Sequence, residues 1–126
     1  MKVVLINPPQ IFSQYQVGIG VTPPLGIAYL AAYCLKWGID VEIVDSVGEA
    51  PDTVAPFREE IFLRGVRIGD IVERISQDVG LIGISNLFSF AYPAVRELAN
   101  AIRAAHPDKP VVLGGAHPTH MYAEVL

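Results

Sequence analysis

Two histidines stand three residues apart in the stretch GGAHPTH, which runs from Gly114 to His120. Imidazole nitrogen is a common zinc ligand, but the only cysteine of the chain, Cys34, lies far away, and HxxH alone is a poor match to a zinc site. The two glycines allow a sharp turn and a close approach of backbone to a bound molecule. The stretch by itself leaves a catalytic centre and a ligand-cradling turn open.

A second polar cluster occurs in ISNLFSF, where Ser85, Asn86 and Ser89 alternate with apolar and aromatic residues. The Ser85 hydroxyl can bind a ligand or cap the start of the next helix. Apolar walls with few polar anchors are typical of a site for a large flat cofactor. No catalytic triad, carboxylate pair or activated nucleophile can be assembled from these residues. The pattern therefore favours a binding site over a complete active site.

A third segment, NPPQIFSQYQVGIGVTPPLG from Asn7 to Gly26, contains four prolines and three glycines. Proline stiffens the chain and removes N–H donors, whereas glycine permits close backbone approach to a ligand. The segment lacks GxGxxG, and neither GKS nor GKT occurs anywhere in the chain. Classical dinucleotide and Walker phosphate sites are therefore disfavoured.

The elements that must position these loops follow from hydrophobic patterning. Four short runs rich in Val, Ile and Leu do not alternate with polar residues, which predicts strands buried on both faces of a parallel sheet. Helical stripes separate them, with Pro23 and Pro24 suited to the start of the first helix and Gly38 to its end. Asp70 is expected to cap the second helix and Thr119 the last one. The strands are Val3 to Asn7, Val41 to Asp45, Leu81 to Ser85 and Val111 to Gly114; the stripes are Ile27, Leu30, Ala31, Cys34 and Leu35, then Ile68, Ile71, Val72 and Ile75, then Val95, Leu98, Ala99 and Ile102.

This order predicts one α/β domain over residues 1–126, an open doubly wound parallel sheet of the Rossmann-like or flavodoxin-like kind. Ligands in such sheets bind at the carboxyl ends of the strands, where Asn7 to Leu25, Ser85 to Tyr92 and Gly114 to His120 should gather. Val47 to Val66 is expected to be a surface excursion with a short helix at Glu59 to Leu63. The sheet is expected to be truncated after its fourth strand, which predicts that the chain is a piece of a longer polypeptide.

Composition narrows the partners. Of the 126 residues, 52% are hydrophobic and 17% charged, which is typical of a globular domain, and the formal net charge is −4. The absence of a basic run disfavours nucleic acid as a partner. The apolar stretch before Pro8 is too short for a signal sequence or a membrane span. A lone cysteine excludes an internal disulfide and a cysteine-rich metal site, so the expected location is the cytoplasm. An unpaired sheet edge predicts a homodimer.

Two motifs resemble the cobalamin-binding domain of cobalamin-dependent methionine synthases and mutases. These are LIGISNL, from Leu81 to Leu87, and VLGGA, from Val112 to Ala116. The resemblance implies that Ser85, Leu87, Gly114 and Gly115 line a tunnel for the nucleotide tail of the cofactor. That family also has DxHxxG after its first strand, where the histidine ligates cobalt. This chain reads NPPQ there, so that histidine ligand is missing.

The variant pattern is similar to the N-terminal cobalamin domains of radical S-adenosylmethionine enzymes, which commonly read INPP, then PPLGIAYL, then GGxHxT. All three motifs occur here in that order. The resemblance implies base-off cobalamin as the cofactor, with His117 facing the corrin or its tail. The implied cofactor-binding residues are Asn7, Pro8, Pro9, Pro24, Leu25, Gly26, Ser85, Asn86, Leu87, Gly114, Gly115, Ala116, His117 and Thr119.

The same resemblance implies a downstream barrel domain that holds a 4Fe-4S cluster through CxxxCxxC, binds S-adenosylmethionine and performs methyl transfer or related radical chemistry. None of those cysteines is in this chain, so it would be catalytically incomplete alone. Two alternatives stay open. The chain could be an α/β interaction domain that has lost the cofactor, or a nucleotide- or flavin-binding domain of the same architecture.

Overall fold

A computed structural model describes residues 1–16 and 20–126 of the chain. Its elements form two β-sheets with helices packed against the larger one. A 3₁₀ turn, Ser89–Ala91, precedes the longest helix. The strands are β1 (Lys2–Asn7), β2 (Gln10–Ser13), β3 (Asp40–Asp45), β4 (Val54–Arg58), β5 (Ile61–Arg64), β6 (Val79–Ser85) and β7 (Val111–Gly114); the helices are α1 (Leu25–Lys36), α2 (Ser46–Glu49), α3 (Ile68–Arg74), α4 (Tyr92–Ala105), α5 (Ala116–His120) and α6 (Tyr122–Val125).

The larger sheet has the strand order β3-β1-β6-β7, and each neighbouring pair is parallel. All four strands predicted from apolar runs are confirmed within one or two residues. Parallel pairing brings their carboxyl ends to one edge, where Asn7 lies beside Asp45 and Ser85 beside Gly114. The doubly wound α/β fold is confirmed, and its carboxyl edge gathers the three loops that follow β1, β6 and β7.

The two faces of this sheet bury different amounts of apolar surface. Side chains of β1 alternate between them, because successive residues of a strand point to opposite faces. Val4 and Ile6 join the larger core, to which α3 and α4 contribute, whereas Val3 and Leu5 join a smaller core with Ile27 of α1. In the described parts of the chain, no helix has the length and apolar character to cross a bilayer.

The apolar stripe predicted for α1 is only partly buried. Ile27 and Ala31 are each 5% exposed and pack on the sheet, but Leu30 and Leu35 are 58% and 60% exposed. Cys34, predicted to be core, is half-buried. The helix predicted from the period of the pattern is therefore confirmed. Fewer of its apolar residues are buried than predicted, because little besides the sheet covers α1.

The short helix expected at Glu59 to Leu63, within the surface excursion from Val47 to Val66, is wrong. The region instead forms a β-hairpin of β4 and β5, whose turn contains Glu60 with a φ of 57°. Strand β2, expected to be loop, pairs antiparallel with β5 and completes a second sheet in the order β2-β5-β4. Phe12 and Phe62 pack across it with ring centroids 5.8 Å apart. Pairing with a strand about 50 residues away overrides the local helical tendency of the Glu-rich turn.

Both helix-capping predictions are also wrong. Helix α3 has Arg67 as its N-cap, and no side chain caps it; Asp70 lies inside its first turn, where a carboxylate interacts favourably with the helix dipole. Thr119 lies inside α5 rather than before it, and its hydroxyl donates to the Gly115 carbonyl at 2.8 Å. In both cases the helix begins two or three residues earlier than the polar residue suggested.

A glycine joins the second sheet to the larger one. Gly65, with a φ of +126°, passes so close to Ser46 that a Cβ there would lie 2.6 Å from its Oγ. Ser46 is fully buried, its Oγ donates to the Val66 carbonyl at 3.1 Å, and its own carbonyl accepts from the Val66 N–H at 2.9 Å. This contact fixes the position of the segment between β5 and α3 relative to the start of α2.

Gly65→Ala is therefore expected to lower the free energy of unfolding by about 2–3 kcal/mol, because the methyl group meets Ser46 and the backbone is in a region that alanine disfavours. Urea denaturation followed by circular dichroism measures the change. Gly69→Ala is the control, since a Cβ at Gly69 of α3 meets nothing within 4 Å. The control should be neutral or slightly stabilising, and equal midpoints for the two variants would contradict this account of the junction.

Candidate functional site

A cavity of about 700 Å³ opens at the carboxyl edge of the larger sheet. Its walls come from the segment after β1, the start of α1, the end of β6 with its following loop, and the Gly114–Gly115 turn after β7. Leu5, Leu81 and Val112 form part of its floor on the sheet. This is the location at which doubly wound sheets bind ligands.

The walls of the cavity are apolar and uncharged. Among the described residues that line it, none is Asp, Glu, Lys, Arg or His. Leu87, Phe88 and Phe90 are 58%, 55% and 63% exposed there, and the two phenylalanine rings stack with centroids 5.4 Å apart. Such a surface suits a large ligand with apolar faces rather than one held by ionic contacts.

The loop after β1 is tied to the neighbouring strand. The Asn7 Nδ2 donates to Oδ1 of Asp45 at 2.8 Å, so the ends of β1 and β3 are joined by side chains as well as by the sheet ladder. Pro8 and Pro9 follow directly and line the cavity, where they present rigid apolar surface without N–H donors. The INPP motif thus forms a stiff wall.

The loops after β6 and β7 are joined at the backbone of Asn86. Its N–H donates to the Gly114 carbonyl at 2.6 Å, and its carbonyl accepts from the His117 N–H at 3.3 Å. Between these two contacts stands Gly115, with a φ of +110°, where a Cβ would lie 2.5 Å from the Asn86 carbonyl oxygen. Only glycine permits this approach, which explains the second glycine of GGAHPTH.

His117 lies behind this contact rather than at the cavity. It is 8% exposed, its Nδ1 is 2.9 Å from the Ser89 Oγ, and its ring packs on Tyr92 with centroids 4.6 Å apart. Its Nε2 is buried and has no hydrogen-bond partner among the described residues. His120 is exposed at the end of α5. The imidazole of His117 therefore links the loop after β7 to the loop after β6.

The structure brings most of the expected site residues together. All of them line the cavity except Ala116, His117 and Thr119, which belong to α5. Ser85 does not cap a helix, since α4 begins only at Tyr92. Sequence reasoning did not single out Gln10 or Leu30, which also line the cavity. Gln10 lies in the segment expected at this edge, but its residue type does not mark it out, and Leu30 belongs to the α1 stripe that is predicted to be buried.

Metal and acid–base chemistry find little support at this edge. In residues 1–16 and 20–126, no group of three His, Cys, Asp or Glu side chains is placed to hold a metal ion. Shifted pKa values occur elsewhere: Glu42 raises the pKa of Lys2, Glu49 raises that of Arg74, and the Ser76 hydroxyl lowers that of Asp78. None of these three lines the cavity.

Comparison with known proteins agrees with this description. Residues 19–126 match the family model described as the B12 binding domain. The chain is 30% identical over 119 residues to cytidylyl-2-hydroxyethylphosphonate methyltransferase of Streptomyces wedmorensis. The aligned region covers 92% of this chain and 22% of that protein. It is 28% identical over 130 residues to anaerobic magnesium-protoporphyrin IX monomethyl ester cyclase of Synechocystis sp., which covers 100% of this chain and 23% of that protein.

No solved structure matches the chain at a significant level. The chain spans less than a quarter of the length of either curated relative. The family match, by contrast, extends over most of the chain, from before α1 through the last helix, and includes the loops after β6 and β7 that wall the cavity. The chain therefore belongs to the B12-binding domain family.

Proposed function

We propose that the chain holds cobalamin at the carboxyl edge of its larger sheet, with part of the corrinoid in the cavity. The observation that supports this most strongly is a cavity of about 700 Å³ whose described lining residues carry no charge. Apolar walls with a few polar groups suit the faces of a corrin ring and its uncharged substituents. We propose as cofactor-binding residues those residues of the set implied by the sequence that line this cavity. Of these, Ser85, Leu87, Gly114 and Gly115 would contact the nucleotide tail.

We further propose that this chain supplies no protein ligand to cobalt. The first loop reads NPPQ where a ligating histidine would stand, and no histidine is among the described residues that line the cavity. His117, in the loop after β7, is the histidine that the sequence places nearest to the cavity, but it does not line the cavity and its ring packs on Tyr92. Its proposed role is to hold the two loops together beneath the cofactor.

Bound cobalamin supplies a cobalt centre that can accept and donate a methyl group, and the chain around it would orient the corrin and exclude water from its apolar side. We propose that the whole protein is a cobalamin-dependent radical S-adenosylmethionine enzyme. The relatives named above are a methyltransferase and a cyclase and are more than four times as long as the part that matches. The 4Fe-4S cluster and S-adenosylmethionine would then be bound outside this chain, whose only cysteine is Cys34.

The alternative to this proposal is a flavin- or nucleotide-binding domain of the same architecture. Phosphate groups are usually held by cationic side chains or by a glycine-rich loop at a helix N-terminus. No cationic side chain occurs among the described residues that line the cavity, whereas the Gly114–Gly115 turn before α5 is of the second kind. Gel filtration after incubation with hydroxocobalamin, followed by visible spectroscopy, distinguishes the candidates, because corrinoid, flavin and bare protein absorb differently.

We expect corrinoid to co-elute with the chain and Gly26→Leu to weaken its binding by about tenfold or more. Gly26 is the second residue of α1, lines the cavity and has nothing within 4 Å of an added Cβ, so leucine would take up ligand space without disturbing the fold. The dissociation constant of hydroxocobalamin, measured by spectrophotometric titration, gives the effect.

Gly69→Leu is the matched control. Gly69 is the second residue of α3, is equally open and does not line the cavity. Both substitutions replace an exposed helical glycine and should raise helix stability by about 0.5–1 kcal/mol. Weaker binding in the Gly26 variant alone supports the proposed cavity. Equal affinities, or elution of all corrinoid apart from the folded parent chain, would contradict it.

Self-association through a sheet edge remains a prediction. Strands β3 and β7 are the edges of the larger sheet, and an unpaired parallel edge offers N–H and C=O groups to another copy. Sedimentation equilibrium should show an average mass that rises above 13.7 kDa with concentration. A constant monomer mass over a hundredfold range of concentration, about 1–100 μM, would argue against dimerisation.

A further inference from the structure

Two amide side chains at the cavity contain buried polar atoms with no hydrogen-bond partner among the described residues. Asn86 is 1% exposed, and both its Oδ1 and its Nδ2 are unpaired; the Oε1 of Gln10 is also buried and unpaired. Both residues line the cavity. A buried polar group without a partner raises the free energy of the folded state, because it has lost water and gained nothing in return. Each such group needs an explanation, and for groups that line a cavity a bound ligand is one.

The backbone of Asn86 is held in place by three contacts. Its N–H donates to Gly114, its carbonyl accepts from His117, and Gly115 packs directly on it. Peptide groups on both sides of the side chain are therefore fixed before any ligand arrives. This reduces the conformational entropy that the amide would lose on binding.

Gln10 is fixed by a different element. It is the first residue of β2 and lies opposite Arg64 of β5 in the second sheet. Its amide therefore belongs to the wall after β1, while that of Asn86 belongs to the wall after β6. The two walls each contribute an amide with at least one unpaired buried atom to a cavity that is uncharged and mostly apolar in its described lining.

The chemistry of these groups defines what they can bind. An amide both donates and accepts hydrogen bonds, and its full complement is another neutral group that does both. A carboxylate only accepts, and burying its charge in an uncharged cavity is costly. The periphery of a corrinoid carries several carboxamide groups. We propose that Asn86 and Gln10 select the corrinoid by hydrogen bonding to its peripheral carboxamides; this rests on the proposed function.

Asn86→Leu should weaken hydroxocobalamin binding without lowering the stability of the ligand-free chain. Removal of the amide should weaken hydroxocobalamin binding by about tenfold, because the ligand carboxamide would lose its partner. The melting temperature of the ligand-free chain should stay unchanged or rise by roughly 2–5 °C, because an unsatisfied buried group is removed. An amide with a purely structural role would give a lower melting temperature.

Asn100→Leu is the matched control, since Asn100 lies on the exposed side of α4 and does not line the cavity. It should leave hydroxocobalamin affinity unchanged. Gln10→Leu should weaken binding in the same sense as Asn86→Leu. Asn86→Ala is the second variant for the case in which leucine does not fit the space left by the amide.

Ligand discrimination tests the chemistry directly. The parent chain should prefer hydroxocobalamin over at least one of its monocarboxylic acids, in which one carboxamide is hydrolysed, by about tenfold. Asn86→Leu or Gln10→Leu should reduce that preference to about twofold or less. Unchanged affinity and unchanged preference in the Asn86 and Gln10 variants would overturn the inference while leaving the proposed function intact. Failure of the parent chain to bind hydroxocobalamin would overturn both.

Discussion

The candidate site depends on the backbone contact between Asn86 and the turn after β7. Parallel strands end at the same edge, but nothing in a parallel ladder by itself holds the loops beyond that edge together. Here the Asn86 N–H and carbonyl bond to Gly114 and His117, and Gly115 leaves no side chain between them. Two loops that follow strands ending at Ser85 and Gly114 thus form one wall. The buried imidazole of His117 supports this wall from behind through Ser89 and Tyr92.

Several features of the site are unfavourable for the stability of the ligand-free fold. A fold specified for stability alone would not bury the Asn86 amide without a partner in the described part of the chain, nor expose Leu87, Phe88 and Phe90 together beside it. Local violations of this kind are expected where a surface is shaped for a ligand, because the ligand completes the missing contacts. The prolines after β1 and the Asn86 backbone are fixed by the fold. The unpaired amide and the exposed apolar side chains are therefore held by segments that do not need to move on binding.

The parts of the fold that sequence predicted were those set by local patterning. The strands of the larger sheet are short runs of Val, Ile and Leu, and parallel pairing then fixes which loops meet, so the cavity could be located before its shape was known. The second sheet could not be foreseen, because β2 and β5 pair over a separation that no local pattern encodes. The resemblance to cobalamin domains implied that Gly115 and His117 belong to the site, but it did not predict which residues they contact. A glycine at positive φ turns the chain so that the His117 ring lies away from the cavity, and that rotation is not readable from residue types.

A crystal structure of the chain grown with hydroxocobalamin tests the central claim most directly, namely that the cavity at the carboxyl edge is the corrinoid site. The account predicts corrinoid density between Gly26 of α1 and Gly114 after β7, with no cobalt bond to His117. Density at another surface, or a cobalt atom ligated by the His117 imidazole, would contradict it.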